Sequence, residues 1–308
     1  MVEKISVPKP LIKWVGGKTQ IMETIISNFP KEMNNYHEPF LGGGSVLLNL
    51  LSSVKHNKIR VNGSIYAYDL NEPLINLYKN IQTNPGELYD TLQNIKADYD
   101  NCGNGVVNRK PSTLEEAMVS KENYYYWIRN EYNKESRANS LSITVSAMFI
   151  FLNKTCFRGL FRVGPNGFNV PYGHYKNPEI VNKAHLMEVH ELIQGVYFEC
   201  LDFNASLSNV GNGDFVYLDP PYAPETSTSF VKYTADGFDI ETHNKLFTKI
   251  HEIIEKPGQK IMMSNADVEL VRNNFTDEKY NTISIVCKRA IHSKKPGTKT
   301  NEVIIKSY

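Results

Sequence analysis

The run at residues 214–222 constrains the fold more than any other stretch of the chain. Apolar and aromatic residues at 215–218 are followed by Asp219, Pro220 and Pro221. Proline has no amide hydrogen with which to continue a strand ladder, so a strand at 215–218 must end at the carboxylate. Ligands of open α/β sheets bind at the carboxyl ends of the strands. The run therefore predicts an α/β fold with Asp219 at the ligand-binding edge of the sheet.

The tetrapeptide Asp219-Pro220-Pro221-Tyr222 combines groups that suit one kind of ligand. A carboxylate and a backbone carbonyl that is not needed for strand pairing can accept both hydrogens of an exocyclic amino group. The tyrosine ring can stack on the ring that carries that amino group. A strand-ending turn with a solvent-facing aspartate is the alternative that these four residues alone leave open.

The charge distribution points to a polyanionic partner. The chain has 308 residues, of which 41% are hydrophobic, enough for one large domain or two. Its net charge of +1 conceals two stretches without acids, at residues 153–178 and 287–301, which contain four and five lysines and arginines respectively. Such stretches are typical of nucleic-acid-binding surfaces, although solvated loops have the same composition.

The four cysteines, Cys102, Cys156, Cys200 and Cys287, are far apart and show no metal-ligand spacing. They predict free thiols in a reducing compartment and no metal site. No apolar run reaches the roughly 18 residues of a membrane span, and the N-terminal residues have no signal-peptide core. We therefore expect a cytoplasmic protein that is not inserted in a membrane.

Two glycine-rich turns precede predicted helices. Gly16-Gly17-Lys18 opens a segment at residues 19–29 in which the apolar residues have helical spacing. A glycine turn at the start of a helix can hold an anionic group, and Lys18 adds a positive charge there. The alternative is an ordinary helix entry with a surface lysine.

The second glycine turn, at residues 42–44, lies between a predicted strand at 36–40 and a predicted helix at 46–51 with Ser45 near its N-cap. A further predicted strand ends in Asp69, 25 residues after Gly44. An acidic residue about 20 residues beyond a glycine loop is the Rossmann arrangement for binding ribose hydroxyls. The spacing favours a nucleoside-binding site.

Residues 73–190 differ in character from the flanking segments. They predict helices without intervening strands at 74–81, 87–99 and 115–132, and a further apolar helix or buried segment at 141–152. Such a stretch indicates a helical subdomain inserted into the α/β frame.

At residues 153–176, arginines and aromatic residues alternate with glycine-containing turns, as in a β-hairpin or loop. Arginine binds guanine in the major groove, and apolar side chains can enter a base stack, so this segment suits duplex DNA. A structured surface loop is the alternative.

The remaining sequence predicts a polar lid at residues 222–239 and a helix at 239–254. A core strand is predicted at 260–264, and two final strands, at 282–291 and 301–305, are predicted to be joined by a basic loop at 292–300.

Taken together, six motifs resemble the Dam-type, alpha-group (D12 class) DNA adenine-N6 methyltransferases, and they occur in that family's order across nearly the whole chain. They are Lys13-Trp14-Val15-Gly16-Gly17-Lys18, Glu38-Pro39-Phe40-Leu41-Gly42-Gly43-Gly44, Asp69-Leu70-Asn71, Phe168-Asn169-Val170-Pro171-Tyr172, Asp219-Pro220-Pro221-Tyr222, and Lys288-Arg289-Ala290-Ile291 with Asn301-Glu302-Val303-Ile304-Ile305.

The resemblance implies a Rossmann-like methyltransferase sheet with an inserted, mainly helical target-recognition subdomain that carries a β-hairpin. We expect residues 1–75 and 191–308 to form the catalytic and cofactor-binding domain. Residues 76–190 are expected to form the target-recognition subdomain, which contacts double-stranded DNA.

The resemblance further implies S-adenosylmethionine as the methyl donor and no metal. The cofactor contacts that it implies are Trp14, Lys18, Asp69 and Asp219, with Phe40 and the loop from Gly42 to Gly44 lining the pocket. The catalytic residues that it implies are Asp219, Pro220 and Tyr222.

For DNA, the resemblance implies an aromatic side chain in the base stack at Phe157 and a guanine-binding arginine at Arg162. It also implies apolar base contacts at Leu160 and Pro171, and DNA contacts at Lys13 and Arg158. The implied target is GATC. Arg158 stands where many relatives carry asparagine.

Other readings of the same chemistry stay open on sequence alone. Cytosine N4 and an RNA adenine present the same amino geometry as DNA adenine. A catalytically idle module that binds DNA or a nucleoside is the alternative from a different class, although binding alone would not need the acid, both prolines and the tyrosine together.

Overall fold

The computed structural model describes residues 7–224, 238–276, 279–288 and 299–308. Across these residues the chain is a mixed α/β protein with a seven-stranded sheet and two small two-stranded sheets. In chain order the strands are β1 (Glu32–Met33), β2 (Tyr36–Glu38), β3 (Arg60–Val61), β4 (Ile65–Tyr68), β5 (Val163–Gly164), β6 (Gly167–Phe168), β7 (Val196–Glu199), β8 (Phe215–Leu218), β9 (Lys260–Ala266), β10 (Asn281–Lys288) and β11 (Lys299–Lys306).

The large sheet has the order β10-β11-β9-β8-β2-β4-β7. The pairs from β9 through β8, β2 and β4 to β7 are parallel, whereas β11 pairs antiparallel with both β9 and β10. From β2 the chain continues to β4 and β7 on one side, and β8 lies on the other side. The sheet therefore has a topological switch point between β2 and β8, where ligands of open α/β sheets bind.

The helices, in chain order, are α1 (Met22–Ser27), α2 (Ser45–Lys55), α3 (Glu72–Thr83), α4 (Pro85–Asn101), α5 (Leu114–Met118), α6 (Lys121–Ala138), α7 (Ile143–Thr155), α8 (Lys183–Leu192), α9 (Phe203–Ser208), α10 (Ile240–Ile254) and α11 (Glu269–Asn274).

The described residues group into two compact units. The first consists of Val7, Lys18–Leu70 and the described part of Gly195–Tyr308, and it contains the large sheet. The second consists of Pro8–Gly17 and Asn71–Gln194, and it contains α3 to α8 and the β5–β6 hairpin. In the chain, the long segment of the second unit therefore lies between two segments of the first.

Helix α7 forms the centre of the second unit. Ten of its thirteen residues are buried, from Val145 to Asn153 and at Thr155. Its apolar residues are spread over the whole circumference of the helix, so every face needs to be covered. Such a helix is stable only inside a shell of other elements, and α3, α4 and α6 pack against it.

Local caps explain where several elements begin and end. Asp239 accepts a hydrogen bond from the amide of Thr242 and starts α10, and Asn71 starts α3 in the same way. The single helix predicted at residues 115–132 is wrong, because the Ser120 side chain accepts from the amide of Asn123 and starts α6 as a separate helix after α5. Helix α2 begins at Ser45, and its N-cap residue is Gly44.

The mixed α/β class predicted from residues 214–222 is confirmed, with β8 ending at Leu218 directly before Asp219. The final two predicted strands are present as β10 and β11, and the structure pairs them antiparallel. Among the described helices, none combines the length and the apolar content that crossing a bilayer requires.

Asp214 joins β8 to β2 at the amino ends of these strands. Its fully buried carboxylate accepts hydrogen bonds from the amide of Asn35, from the side chains of Asn34 and Asn35, from the amide of Gly211 and from Nε2 of His37. Burial raises the pKa of Asp214, but these hydrogen bonds outweigh it and leave the pKa below its usual value. Burial lowers the pKa of His37, so the imidazole is neutral and donates to the carboxylate.

We expect Asp214→Asn to destabilise the protein by about 2–3 kcal/mol, because an amide group would face several N–H donors and lose charge-assisted hydrogen bonds. Urea unfolding followed by circular dichroism measures this. The matched control is Asp202→Asn at the N-cap of α9, where asparagine caps as well as aspartate does. Equal stabilities of the two variants would contradict the expected role of Asp214.

Candidate active site and nucleic-acid interface

Three neighbouring strands of the first unit deliver candidate site residues at their carboxyl ends. Asp219 follows β8, the glycine loop at residues 42–44 follows β2, and Asp69 follows β4. These strands are adjacent in the order β8-β2-β4, so their carboxyl ends lie side by side at the switch point. The fold therefore brings together three motifs that are widely separated in sequence.

Asp219 forms an ion pair with Lys18, with 2.7 Å between Oδ1 and Nζ. Lys18 is buried, with an exposed fraction of 6%. Burial raises the pKa of the Asp219 carboxyl, and the Lys18 ammonium opposes this rise without cancelling it. A buried carboxylate of this kind favours a ligand that donates hydrogen bonds to it, since each donor stabilises the charged form.

Tyr222 lies beside this ion pair. The Lys18 ammonium is 4.8 Å from the centroid of the tyrosine ring, a cation–π distance. The Tyr222 hydroxyl donates to Glu302 Oε2 at 2.7 Å. Asp219, Lys18 and Tyr222 thus form one connected cluster.

The backbone around Tyr222 is held from two further elements. Nε2 of His243 in α10 lies 3.0 Å from the Pro221 carbonyl oxygen, and because that oxygen can only accept, the imidazole donates. The amide of Ala223 donates to Oδ1 of Asn265 in β9 at 3.0 Å. Both His243 and Asn265 are completely buried, so the loop after β8 is fixed by the core.

The glycine loop and Asp69 hold each other. The amide of Gly42 donates to Asp69 Oδ2 at 2.9 Å, and the amide of Leu41 donates to the carbonyl of Tyr68 at the end of β4. Gly42 and Gly44 have φ angles of 50° and 71°, which glycine adopts without steric cost. The turn therefore favours glycine at both positions.

Phe40 leads into this loop and packs in the core of the first unit. Its ring stacks on Phe203 at a centroid distance of 6.1 Å and meets Phe238 edge-on at 5.9 Å. These contacts fix the side of the glycine loop that faces the core.

Glu38, at the end of β2, is a buried carboxyl that has no role in the sequence analysis beyond its motif. It is 2% exposed, and the Tyr36 hydroxyl donates to its Oε2 at 2.7 Å. Burial raises the pKa of Glu38 to about 8; the hydrogen bond from Tyr36 opposes the rise, and the charges of Asp219 and Asp69 add to it. Glu38 is therefore protonated at neutral pH.

In the second unit, Lys13 is clamped by Asn153. The Lys13 amide donates to Asn153 Oδ1 at 2.8 Å, and Asn153 Nδ2 donates to the carbonyls of Lys13 at 2.8 Å and Gly159 at 3.2 Å. The Lys13 ammonium lies 4.4 Å from the centroid of the Tyr175 ring. One buried asparagine thus ties residues 140 positions apart.

The turn after α7 presents Phe157, whose side chain is 45% exposed. The Phe157 amide donates to the Pro171 carbonyl at 2.8 Å, and the Leu160 amide donates to the Phe157 carbonyl at 3.3 Å. Arg158 has φ 57° and places its guanidinium 5.1 Å from the Phe157 ring centroid. These contacts bring Phe157, Arg158, Leu160 and Pro171 together.

Arg162 lies at the base of the β5–β6 hairpin and is pre-oriented by Asn169. Its Nε donates to Asn169 Oδ1 at 2.6 Å and its Nη2 donates to the Asn169 carbonyl at 3.4 Å, while the Asn169 amide donates to the Arg162 carbonyl. These hydrogen bonds hold the guanidinium in a defined direction, as bidentate recognition of a base requires.

Trp14 lies in the second unit. It stacks on Phe161 at a centroid distance of 5.6 Å with 24° between the rings, and it lies 6.4 Å from Phe149 of α7. These aromatic contacts position the indole within the second unit.

Some candidate segments fall outside the described residues. The predicted lid lies mostly at residues 225–237, and the predicted basic loop at 292–300 lies almost entirely outside them, as do residues 289–291 of the last motif.

The arrangement combines a carboxylate held by a lysine, an aromatic ring fixed by a second carboxylate, and a glycine loop paired with an acid. It lies at the switch point in the parallel part of the large sheet. Residues 14–291 match the family of D12 class N6 adenine-specific DNA methyltransferases. The chain belongs to this family. The family predicted from the six motifs is thus confirmed.

Several methyltransferases of known name are similar to the chain along its length. It is 35% identical to the type II methyltransferase M.MjaIII of Methanocaldococcus jannaschii, over 97% of the chain and 99% of that protein. It is 31% identical to M1.LlaDCHI of Lactococcus lactis subsp. cremoris, over 97% and 95%. It is 27% identical to the DNA adenine methylase of Escherichia coli K12, over the same shares.

Sequence reasoning missed the residues of this methyltransferase that hold the site from a distance. His243, Asn265 and Asn153 have no role in it, and Glu38 and Glu302 appear only as letters of motifs. Their partners lie far away in sequence, so no local pattern signals them. For Glu38 and Glu302, the available signal was an acid inside a predicted strand of the sheet, because a buried acid needs a partner.

We expect the stability of the protein to fall as pH rises from about 4.5 to about 8, through the contribution of Glu38. The unfolded carboxyl ionises above its ordinary value of 4.5, whereas the folded one stays protonated up to about 8. Glu38→Gln cannot ionise, so its melting temperature should gain on that of the wild type at pH 9 relative to pH 5.

The matched control for this prediction is Glu32→Gln on the exposed face of β1, which should show no such pH-dependent gain. A Glu38→Gln difference that is the same at both pH values would show that Glu38 is ionised in the folded protein.

Proposed function

We propose that this methyltransferase transfers a methyl group from S-adenosylmethionine to N6 of an adenine flipped out of double-stranded DNA, with GATC as the expected site. The observation that carries the proposal is the Asp219–Tyr222 cluster at the switch point. It offers an acceptor for an exocyclic amino group and a ring for the base, next to a glycine loop suited to a nucleoside.

The donor set at the carboxyl ends of β2 and β4 fits S-adenosylmethionine. Asp69 is an acceptor for ribose hydroxyls, and the left-handed glycines Gly42 and Gly44 let a ligand approach the backbone closely. Phe40, Lys18 and Trp14 complete the proposed set of cofactor contacts. When bound, the cofactor supplies an electrophilic methyl group on a sulfonium.

The main chemical obstacle is the weak nucleophilicity of the adenine amine, because its lone pair is delocalised into the ring. We assign Asp219 and the Pro220 carbonyl as acceptors of the two N6 hydrogens. This pairing draws nitrogen toward tetrahedral geometry and returns the lone pair to it. N6 then releases one of its two hydrogens as a proton after the new N–C bond has formed. Positioning and electrostatic stabilisation then supply most of the rate, and no metal is required.

The Lys18 ammonium has a second task in this scheme, which is to favour the ionised form of Asp219 by opposing the rise in its pKa that burial causes. An ionised carboxylate accepts a hydrogen bond from N6 more strongly than a protonated carboxyl group does. The protonated group also carries an O–H donor that needs its own acceptor.

The target adenine must leave the duplex for its amine to reach Asp219, and the Tyr222 ring is the surface on which it stacks. We assign DNA recognition to the second unit. Phe157 enters the base stack, Arg162 binds a guanine, and Leu160 and Pro171 make apolar base contacts. Lys13 and Arg158 add positive charge next to the DNA.

The experiment that tests the proposal is single-base mapping of modified adenines in plasmid DNA after incubation with the protein and S-adenosylmethionine. N6-methyladenine confined to GATC is the expected result. Methylation of adenine in another motif would keep the mechanism and overturn the assigned site. Absence of N6-methyladenine, with modified cytosine or modified RNA instead, would overturn the proposal, as would cofactor binding without turnover on any nucleic acid.

We expect Asp219→Ala to abolish methyl transfer while duplex binding in a gel-shift assay largely survives, because the variant loses the N6 acceptor and leaves the proposed DNA contacts intact. The control is Asp100→Ala, which removes an exposed carboxylate paired with Lys96 on α4. Substantial methylation by Asp219→Ala would contradict the proposed mechanism.

We expect Arg162→Ala to lose discrimination at one base pair, at a cost of about 1–3 kcal/mol. Competition between duplexes that differ at single positions of the mapped site measures the loss. Arg137→Ala, which removes an arginine in the last turn of α6, is the matched control and should keep the wild-type preference. An unchanged preference in Arg162→Ala would refute its role.

A further inference from the structure

The hydroxyl of Tyr222 has no task in the mechanism above, since a stacking surface needs only the ring. The structure nevertheless gives this hydroxyl a strong partner. It donates to Oε2 of Glu302 at 2.7 Å, the short distance of a hydrogen bond to a carboxylate. Such a bond fixes the far end of the ring.

The near end of the ring is fixed through the backbone. The Pro221 carbonyl accepts from His243, and the Ala223 amide donates to Asn265, so the main chain is pinned on both sides of Tyr222. The two side-chain torsions of Tyr222 are then the remaining freedom in the ring, and the bond to Glu302 removes it.

The acceptor itself belongs to the sheet. Glu302 lies in β11, where its backbone is in register with Ala266 of β9 on one side and Ile285 of β10 on the other. A carboxylate on a strand paired along both edges moves less than one on a loop. The ring is therefore held in place by the large sheet, which also carries Asp219 at the end of β8.

We infer that Glu302 is a positioning residue that holds the Tyr222 ring in the plane on which the target adenine stacks. This inference rests on the proposed function and deepens it. A ring fixed before the base arrives does not have to be ordered when the base binds, so the amine reaches Asp219 in the correct geometry more often. Glu302 itself touches neither the base nor the methyl donor in this scheme.

The test is a double-mutant cycle of Tyr222→Phe and Glu302→Ala, measured as kcat on DNA that contains the mapped site. We expect each single variant to lower kcat about tenfold, the equivalent of one net hydrogen bond to a charged group. We expect the double variant to be no slower than the singles, because both substitutions remove the same contact.

Two further readouts separate positioning from general damage to the fold. The Kd for S-adenosylmethionine and the melting temperature should stay near the wild-type values in Tyr222→Phe. Glu302→Gln, which keeps an oxygen acceptor at the same place, should recover most of the rate that Glu302→Ala loses. Where Glu302→Ala melts below the assay temperature, Glu302→Met replaces it, since methionine has similar length and no oxygen acceptor.

The control is Glu252→Ala on the exposed side of α10, where the carboxylate pairs with Lys249, and it should keep the wild-type rate. Losses that multiply in the double variant, or a Glu302→Gln variant as slow as Glu302→Ala, would overturn the role of Glu302 while the proposed function stands. Absence of adenine methylation by the wild type would overturn the proposed function and this inference together.

Discussion

The candidate active site lies at the carboxyl ends of β2 and β8, but its geometry depends on the Asp214 carboxylate at their amino ends. At the amino ends of β2 and β8, the Asp214 carboxylate collects hydrogen bonds from residues that precede β2 and from His37 within it. This fixes the register of the two central strands, in which Tyr36 pairs with Phe215 and His37 with Val216. A shift of one residue would turn every side chain of β8 to the other face. The glycine loop and Asp219 therefore meet at the carboxyl ends because the amino ends are locked.

The two buried carboxyl groups near the site, those of Asp219 and Glu38, have different surroundings. Asp219 is buried but has Lys18 at 2.7 Å, whereas the buried Glu38 accepts a hydrogen bond from the Tyr36 hydroxyl. Burial raises the pKa of both carboxyls; the Lys18 ammonium opposes the rise at Asp219, and the Tyr36 hydrogen bond opposes it at Glu38. Two neighbouring buried acids thus have different surroundings, because a cation stabilises the charged form of Asp219 and a neutral hydroxyl contacts Glu38.

The features that could be predicted from the sequence are those that depend on a short stretch of the chain. The end of β8, the glycine loop and the spacing to Asp69 are each contained in a few consecutive residues, and the structure has each of them. The hairpin residues from Phe157 to Pro171 are likewise close in sequence. Their assembly into one surface follows from a single turn after α7.

The features that could not be predicted from the sequence depend on contacts between residues that are far apart in the chain, or on a signal too short to stand out. Strand β7 was missed because its four residues, one of them the exposed Tyr197, give too short a pattern beside a helical insertion. The break between α5 and α6 depends on one serine cap, which outweighs a continuous helical pattern. The clamp of Asn153 on Lys13 and the bond from Tyr222 to Glu302 join residues 140 and 80 positions apart. Only the folded chain reveals such pairs.

The backbone at Arg158 has a consequence for how this position can vary. Its φ of 57° is a conformation that costs a bulky residue about 1–2 kcal/mol and that glycine and asparagine adopt more readily. The turn itself would therefore accept asparagine without rearrangement, and arginine is the more strained occupant. Side-chain chemistry, and not chain geometry, must then decide the residue at this point. The fold can exchange a guanidinium for an amide beside Phe157 while everything beneath it stays in place.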